Sequence, residues 1–563
     1  MIRRVRVITH SYRHINRYRE IIVVLVKYGF GDLITRTHLE KYVDVGKKVP
    51  LRKRVKEIAS LSRWERIRMA LEELGPTFVK AGQIMSSRPD LLPHQLIVEL
   101  EKLQDSVPPF SGAEAKQSVE QELGKSISSL FAEFRDTPIA SASIAQVHEA
   151  VLQGGEKVAV KVQRPRIEQI IEVDLEIMLH LATLMEKHLQ GMEILDPVGI
   201  VNEFERSIRK EIDFTIEATH IERFGSNFRR VQTIHVPKVH RNYTTRKILT
   251  MEFIDGIKVS NIDALLKSGN DPKTIASRGT DLVLKQVFEH GFFHADPHAG
   301  NILVLDNNVI CFIDFGMMGR LLPKHREYLS SIIVGIVNRD AKQITKTFLQ
   351  LSNSRRIENI DQLEYQVGEL VDQYSYLSLK DINMGQLLNE VIKLFVAYKL
   401  KMPANLYLLV KALVSIEGVG RVLDPDFNMV KHTEPFAKKL LKARLSPRRL
   451  AKDTYLATTE FSLLLRDLPS EIRDIIEQIK VGQFKIEFEH KGLEPSLRKG
   501  DQISNRIAFA ILLASLIIGS SLIVLSGMPP KWNEIPIIGI IGFLAAGIMG
   551  FWLLVSILRH GKM

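Results

Sequence analysis

His294-Ala295-Asp296-Pro297-His298-Ala299-Gly300-Asn301 is followed, after the apolar run Val309-Ile310-Cys311-Phe312-Ile313, by Asp314-Phe315-Gly316. The apolar run has the length and composition of a buried strand. It separates two aspartates, and Asn301 stands five residues after the first of them. The Asp296 carboxylate can accept a proton or position a nucleophile. The Asn301 amide oxygen and the Asp314 carboxylate are hard oxygen donors of the kind that hold Mg²⁺, which in turn bridges phosphates. A phosphate-and-metal site built around Asp296, Asn301 and Asp314 is therefore expected. His294 and His298 read as packing histidines, not as metal ligands.

Upstream, Val158-Ala159-Val160-Lys161-Val162 is a strand-type run interrupted by one lysine. An ammonium among apolar neighbours is costly unless it has a partner. Taken together, the strand lysine, the HxDxxxxN block and the DFG triplet resemble protein kinases. There a strand lysine holds the nucleotide phosphates and pairs with a helix glutamate. Ile248 to Gly256 reads as a strand running into a hinge, whose backbone at Glu252 and Ile254 would meet the adenine edge.

Three features depart from ordinary kinases. Pro138 to His148 stands where a Gly-rich loop is expected, with Ala140, Ala142 and Ala145 among its residues. Alanine disfavours positive φ and blocks the closest backbone approach, so phosphate cradling should differ. Position 298, two after the aspartate, holds histidine where many protein kinases carry lysine. No A-P-E triplet follows the DFG, which leaves the usual peptide platform in doubt.

The chain has 563 residues, 45% hydrophobic and 25% charged, which implies a folded protein of more than one domain. Cys311 is the single cysteine, so intramolecular disulfides and zinc-finger sites are excluded. The net charge of +12 is uneven: residues 1–60 hold 15 Lys/Arg against 5 Asp/Glu, and a second basic run spans Lys438 to Lys452. Such segments attract nucleic acid or anionic lipid. No nucleic-acid fold signature accompanies them, so a membrane with anionic lipid is the expected partner and nucleic acid is not.

Ile507 to Met528 and Ile535 to Leu558 contain no charged residue. Each can cross a hydrocarbon core of ~30 Å at ~1.5 Å per residue. The linker Pro529-Pro530-Lys531-Trp532-Asn533-Glu534 is short, so the two helices should be antiparallel neighbours. Ser515, Gly519, Gly542, Ala546 and Gly550 recur at four-residue spacing and predict close helix contact. Arg498, Lys499 and Arg506 precede the first span, and Arg559, His560 and Lys562 follow the second. Both ends are therefore expected in the cytoplasm.

Two more segments complete the pattern. Phe78-Val79-Lys80-Ala81-Gly82-Gln83 is helical, with Lys80 and Gln83 on one face, and Glu211-Ile212-Asp213-Phe214-Thr215-Ile216-Glu217 places Asp213 and Glu217 on one face at helical spacing. With the Ala-rich loop and HxDPHxGN, these KxGQ and ExD motifs resemble the UbiB family of atypical kinase-like proteins, the ADCK group of animals. The resemblance runs from about residue 60 to 440, and the hairpin resembles bacterial members.

The resemblance implies an α+β, atypical protein-kinase-like bilobal fold. It implies that Lys161 pairs with Glu217 and holds ATP or ADP, and that Asp296 is the catalytic-loop acid. Asn301 and Asp314 would hold Mg²⁺. Ala140, Ala142, Ser143, Ile144, Ala145, Glu252 and Ile254 would line the nucleotide. The KxGQ helix would cover the pocket, with Lys80 and Gln83 as regulators and Lys80 facing Glu211 and Asp213. Family members support ubiquinone or other isoprenoid quinone production. Quinone precursors, other enzymes of that synthesis and a bacterial-type inner membrane are the implied partners and place, and a homodimer stays open.

Six segments are expected: a basic helical arm (1–60), a helical extension with KxGQ (61–130) and an N-lobe with a helical insertion at Ile167–Phe224 (131–255). A helical C-lobe (256–440), a basic connector with a strand-like Phe484–Phe488 (441–504) and a transmembrane hairpin (505–560) follow. The expected function is a membrane-bound atypical kinase or ATPase. A nucleotide-gated, non-catalytic scaffold is the alternative, and a true protein kinase ranks last.

Overall fold

The computed structural model describes residues 15–37, 61–86, 91–103, 108–189, 196–352, 359–375, 384–398, 400, 402–444, 494–533 and 535–560, with scattered positions between 458 and 480. They fall into two units, Met1–Ala451 and Lys452–Met563.

The first unit opens with α1 (Ile15–Lys27), whose Tyr18, Ile21, Ile22 and Val24 are buried against Ala70 and Leu74 of α2 (Arg63–Leu74) and Phe78 of α3 (Pro76–Ser86). Arg17 donates to Leu74 O at 2.7 Å and to the buried Asp174 Oδ1 at 2.8 Å. The expected arm on a lipid surface is thus corrected for this stretch, because protein already covers its apolar face. Residues 1–14 and 38–60 lie outside the described residues. A Ser62/Glu65 capping box starts α2, and Gly75, at φ 95°, turns the chain into α3. Helix α4 (His94–Leu100) packs on α3, where a Cβ at Gly82 would lie 2.2 Å from Leu103 Cδ1.

Helix α5 (Gly112–Leu123) covers one face of a sheet formed by β1 (Phe131–Phe134), β2 (Ala140–Ser141), β3 (Ala145–Leu152) and β4 (Lys157–Gln163) with a later strand. Residues 111–130 therefore join the N-lobe core and not a separate extension. Alternation along β4 sends Val158, Val160 and Val162 towards α5 and Ala159 and Lys161 to the opposite face.

Three helices follow: α6 (Ile167–His188), α7 (Pro197–Glu211) and α8 (Phe214–Phe228). Asp213 ends the helical run from α7 by capping α8, its carboxylate accepting from Thr215 N at 3.1 Å. Asp213, in extended backbone at the cap, does not share a helix face with Glu217 as their spacing predicts.

Strand β5 (Ile234–His235) lies in the stretch assigned to the N-lobe, yet it pairs in parallel with Ile310 and Cys311 of the C-lobe sheet. Strand β6 (Ile248–Glu252) completes the N-lobe sheet, ordered β1-β3-β4-β6 with β2 beside β3. The C-lobe follows with β7 (Ile257–Lys258), α9 (Pro272–Lys285), β8 (Phe292–His294), β9 (Ile302–Leu305), β10 (Val309–Phe312) and β11 (Met318–Arg320). Its sheet runs β5-β10-β9-β7, while β8 pairs with β11. Helices α10 (Met384–Ala397) and α11 (Ala404–Leu423) lie beyond, α11 packed on α9.

The second unit is a hairpin of α12 (Glu494–Ser526) and α13 (Ile537–His560), joined through β12 (Lys531–Trp532) and β13 (Ile535–Pro536). Two stretches, Ile507–Ser526 and Ile537–Leu554, are long and apolar enough to cross a membrane. The first helix starts at 494, well before the expected 505. Phe484–Phe488 lies outside the described residues. Ser520, Gly539, Gly542 and Ala546 form the contact: a Cβ at Gly542 would sit 2.1 Å from Ser520 Oγ. Ser515 is exposed and Gly519 faces open space, so that part of the small-residue stripe is corrected.

Candidate nucleotide site

Lys161 Nζ lies 3.0 and 2.8 Å from the two Glu217 carboxylate oxygens, which joins β4 to α8. The Phe214 ring lies under the same ammonium, 5.4 Å from its centroid. Burial opposes the charge on Lys161, but Glu217 and Asp314 outweigh it and hold its pKa above the ordinary lysine range. Asp314, 3.9 Å from Lys161, is held well below the usual carboxylate range by that lysine. Burial pushes Glu217 upward despite its partner. The three groups thus form one cluster, with Lys161 between two carboxylates.

Helix α8 also sets the DFG segment. Phe315 N donates to Glu217 Oε1 at 3.3 Å, and His220 Nδ1 donates to Phe315 O at 3.0 Å. The Phe315 ring is buried edge-on against Phe224, 5.1 Å between centroids. His294 anchors the catalytic loop: its Nδ1 accepts from Asp296 N at 3.2 Å, and burial holds its pKa below the histidine norm. It is a packing histidine, as expected. The Cys311 thiol is buried and pushed up to about 12, so it is inert at neutral pH.

Asn301 Nδ2 donates to Asp296 O at 3.2 Å, a bond that does not use its amide oxygen. Together with the half-exposed Asp314 carboxylate, this is a hard-oxygen donor pair. Mg²⁺ uses one or two such protein groups and takes its remaining ligands from phosphates and water. The residues fit that ion. Asp296, Asn301 and Asp314 border one cavity of about 1070 Å³.

Lys80 and Gln83 border the same cavity from α3. Lys80 makes an ion pair with Glu211 at the end of α7. Asp213 caps α8 and meets Arg246 Nε at 3.3 Å, so the expected Lys80 pairing goes to Glu211 and not to Asp213. Gln83 Nε2 donates to Leu103 O at 3.2 Å, bracing α3 against the chain after α4.

The Ala-rich loop differs more. It closes as a tight hairpin, Ala142 N donating to Ala145 O at 2.8 Å, and Arg164 donates to Ala142 O and Ile144 O. Ser143, Ile144 and Ala145 are buried, Ala140 is exposed and Ala142 half-buried. The Glu252 carboxylate accepts from His235 Nε2 at 3.0 Å and Lys238 N at 3.1 Å, which engages it within the hinge strands. Neither Glu252, Ile254, Lys161 nor Ala140–Ala145 is among the residues bordering the cavity.

Two groups at this cavity carry no signal in the motifs. Lys411 Nζ, from α11, lies 3.2 Å from Asp296 Oδ2. Tyr407 of the same helix donates to Glu101 Oε1 at 3.1 Å, and burial first, then Glu101, raises its pKa. For Lys411 a signal existed: Leu408-Leu409-Val410-Lys411-Ala412-Leu413-Val414 is one lysine in an apolar run, the pattern that marked Lys161.

A two-lobed fold with an αC-type ion pair, an HxDxxxxN loop and a DFG segment defines a kinase-like protein. Residues 102–348 match the model of the ABC1 atypical kinase-like domain, residues 367–428 the UbiB helical domain and residues 491–559 the ABC1/UbiB kinase-like C-terminal domain. The chain is 36% identical over 548 residues to an uncharacterized protein in the hydrogenase 1 5′ region of Clostridium pasteurianum, covering 97% of this chain and 99% of that one. It is 36% identical over 424 residues to a probable protein kinase UbiB of Marinobacter nauticus, covering 75% of this chain and 78% of that one. A Xanthomonas campestris probable protein kinase UbiB is 32% identical, over 95% of this chain and 98% of its own. A solved Rv3197–erythromycin complex from Mycobacterium tuberculosis aligns with a TM-score of 0.45 at 23% identity, covering 58% of this chain and 83% of that one, too loosely for transfer of residues. The chain belongs to the UbiB/ABC1 family of atypical kinase-like proteins.

Proposed function

We propose that this protein is a Mg-nucleotide-dependent atypical kinase or ATPase that supports ubiquinone or a related isoprenoid quinone synthesis at a bacterial inner membrane. The observation that carries the reading is the assembled Lys161–Glu217–Asp314 triad beside a cavity roofed by the KxGQ helix. Mg²⁺ on Asn301 and Asp314 would neutralise nucleotide phosphates. Lys161 orients those phosphates, and Asp296 holds the acceptor's proton. The roof favours water or a small or lipid-like acceptor, such as a quinone precursor, over a peptide. Lys and Arg flanking the hairpin favour cytoplasmic ends and contact with anionic lipid.

The test is Mg-dependent ATP hydrolysis by wild type and Asp314→Asn, with and without anionic liposomes and a phenolic quinone-precursor analogue. Turnover that rises with membrane and phenol and vanishes in the variant supports the reading. Equal turnover in both proteins removes the site assignment.

The second reading, a nucleotide-gated scaffold, draws on the Ala-rich loop in place of a Gly-rich one and on the KxGQ helix beside the cavity. It requires an Asp296→Asn protein, normally expressed, to restore quinone synthesis in cells lacking the wild type. Failure of that rescue favours chemistry.

A further inference from the structure

We propose that Lys411, delivered by the helical domain, stands in for the lysine that the catalytic loop lacks: it positions the Asp296 carboxylate and offers its cation to the terminal phosphate of ATP. The inference rests on the nucleotide reading above.

Position 298 is the place of that lysine, and its histidine cannot serve. His298 Nδ1 accepts from Gly300 N at 2.9 Å, which folds the ring back on its own loop. A fixed cation must come from elsewhere, and Lys411 Nζ is 3.2 Å from Asp296 Oδ2.

The helix is built to aim this group. Ala404, Leu408, Lys411 and Ser415 recur at three- and four-residue spacing and border the cavity. Leu406, Leu409, Ala412 and Ile416 point the other way into the core and fix the rotation of the helix. Gly420 lets Phe427 pack flush on α11: a Cβ there would lie 2.7 Å from the ring. The lysine is thus held on a rigid element, not on a mobile loop.

Stability does not explain it. Lys411 and Asp296 are each 31% exposed, and ion pairs at such exposure contribute little to folding. Lys411 is the one charged group that α11 brings to the cavity, beside Asn405, Tyr407, Leu408, Val410, Val414 and Ser415, and a cation so placed is matched to an anionic ligand. Asp296, Asn301 and Asp314 border the same space, where a nucleotide's terminal phosphate would meet Lys411. Lys411 makes and breaks no covalent bond in this role. It neutralises charge and restrains Asp296.

The experiment uses the full chain in nanodiscs, with Lys411→Met, Lys411→Arg and wild type. Affinities for Mg-ATP and Mg-ADP are read by displacement of a fluorescent nucleotide, thermal unfolding controls for folding, and turnover gives kcat and KM. Lys411→Met is expected to weaken ATP roughly 10- to 100-fold, as for a hydrogen bond to a charged group. ADP should change less than about threefold, since ADP lacks the terminal phosphate. Turnover should show a fall in kcat beyond any rise in KM, and Lys411→Arg should keep both within a few-fold. An unchanged ATP-to-ADP ratio with wild-type kcat overturns the proposal. So does equal loss of both nucleotides in a folded Lys411→Met, which marks a structural role. If wild type binds but turns over nothing, the catalytic reading falls while the ATP-to-ADP ratio still decides Lys411. If Lys411→Met does not fold, the same ratio is read in Lys411→Gln.

Discussion

Glu217 Oε1 is shared by two donors, Lys161 Nζ at 3.0 Å and Phe315 N at 3.3 Å. One carboxylate oxygen therefore connects the lysine of β4 to the DFG segment. Glu217→Gln removes the charge that Lys161 needs, and Lys161→Met leaves a carboxylate 6% exposed without its partner. Breaking such a pair costs about 3 kcal/mol. Both variants are expected to lower the denaturant midpoint in detergent and to lose Mg-nucleotide binding. Wild-type binding in either one would remove Glu217 from the site.

Burial holds His294, and also His148, His220 and His290, below the ordinary histidine range. Folding therefore favours their uncharged rings. The unfolded chain takes up these protons near pH 6.5, so stability is complete above that value and is lost as pH falls through it. Each group contributes a slope of at most about 1.4 kcal/mol per pH unit in this window. Thermal midpoints recorded from pH 7.5 to 5 should fall, and His294→Gln should fall less steeply. A flat profile for wild type contradicts the burial argument.

Arg17 neutralises Asp174, which is fully buried on α6. Arg17→Met leaves that charge alone and should destabilise the unit by about 3 kcal/mol. Arg17→Met with Asp174→Leu should recover much of the loss, since two apolar groups need no counter-charge. A double-mutant cycle in urea measures this, and additive losses would show that the pair is not coupled.

Gly82 lets α3 lie flush on Leu100 and Leu103. Gly82→Val forces Leu103 outward, at a cost of about 1–3 kcal/mol. Because Gln83 holds Leu103 O, this displacement should loosen the roof of the cavity and speed nucleotide dissociation several-fold. Stopped-flow release of a fluorescent nucleotide reads it. An unchanged rate with a lowered midpoint would mean that the contact is structural only.

Gly542 meets Ser520 across the hairpin. Gly542→Leu should separate α12 from α13 and raise amide exchange in both helices, with little change at Gly519, which faces open space. Equal protection in both proteins would place the helix contact elsewhere.

Much of the site was legible because its chemistry is local. Asp296 and Asn301 share one loop, and Asp314 follows the short antiparallel pair β9 and β10, so local chain geometry brings them together. Lys161 declared itself as a charge in an apolar strand, and the two charge-free runs declared the hairpin. Periodicity misled at Glu211–Glu217, since a helix pattern does not reveal that Asp213 caps a second helix. Charge misled at residues 1–60, since the apolar side chains within residues 15–27 are covered by protein.

What the sequence by itself determined was the set of chemical groups and the elements that carry them: Lys161 on a strand, Asp296 and Asn301 in a loop, Asp314 after a strand, two apolar spans. Only the tertiary structure decided which charges meet. Lys80 met Glu211 while Asp213 capped a helix, Ser143, Ile144 and Ala145 were buried while Ala140 stayed exposed, and Lys411 came to Asp296 from a distant helix. Pairings between segments far apart in the chain depend on how helices rotate and pack, and no local spacing encodes that rotation.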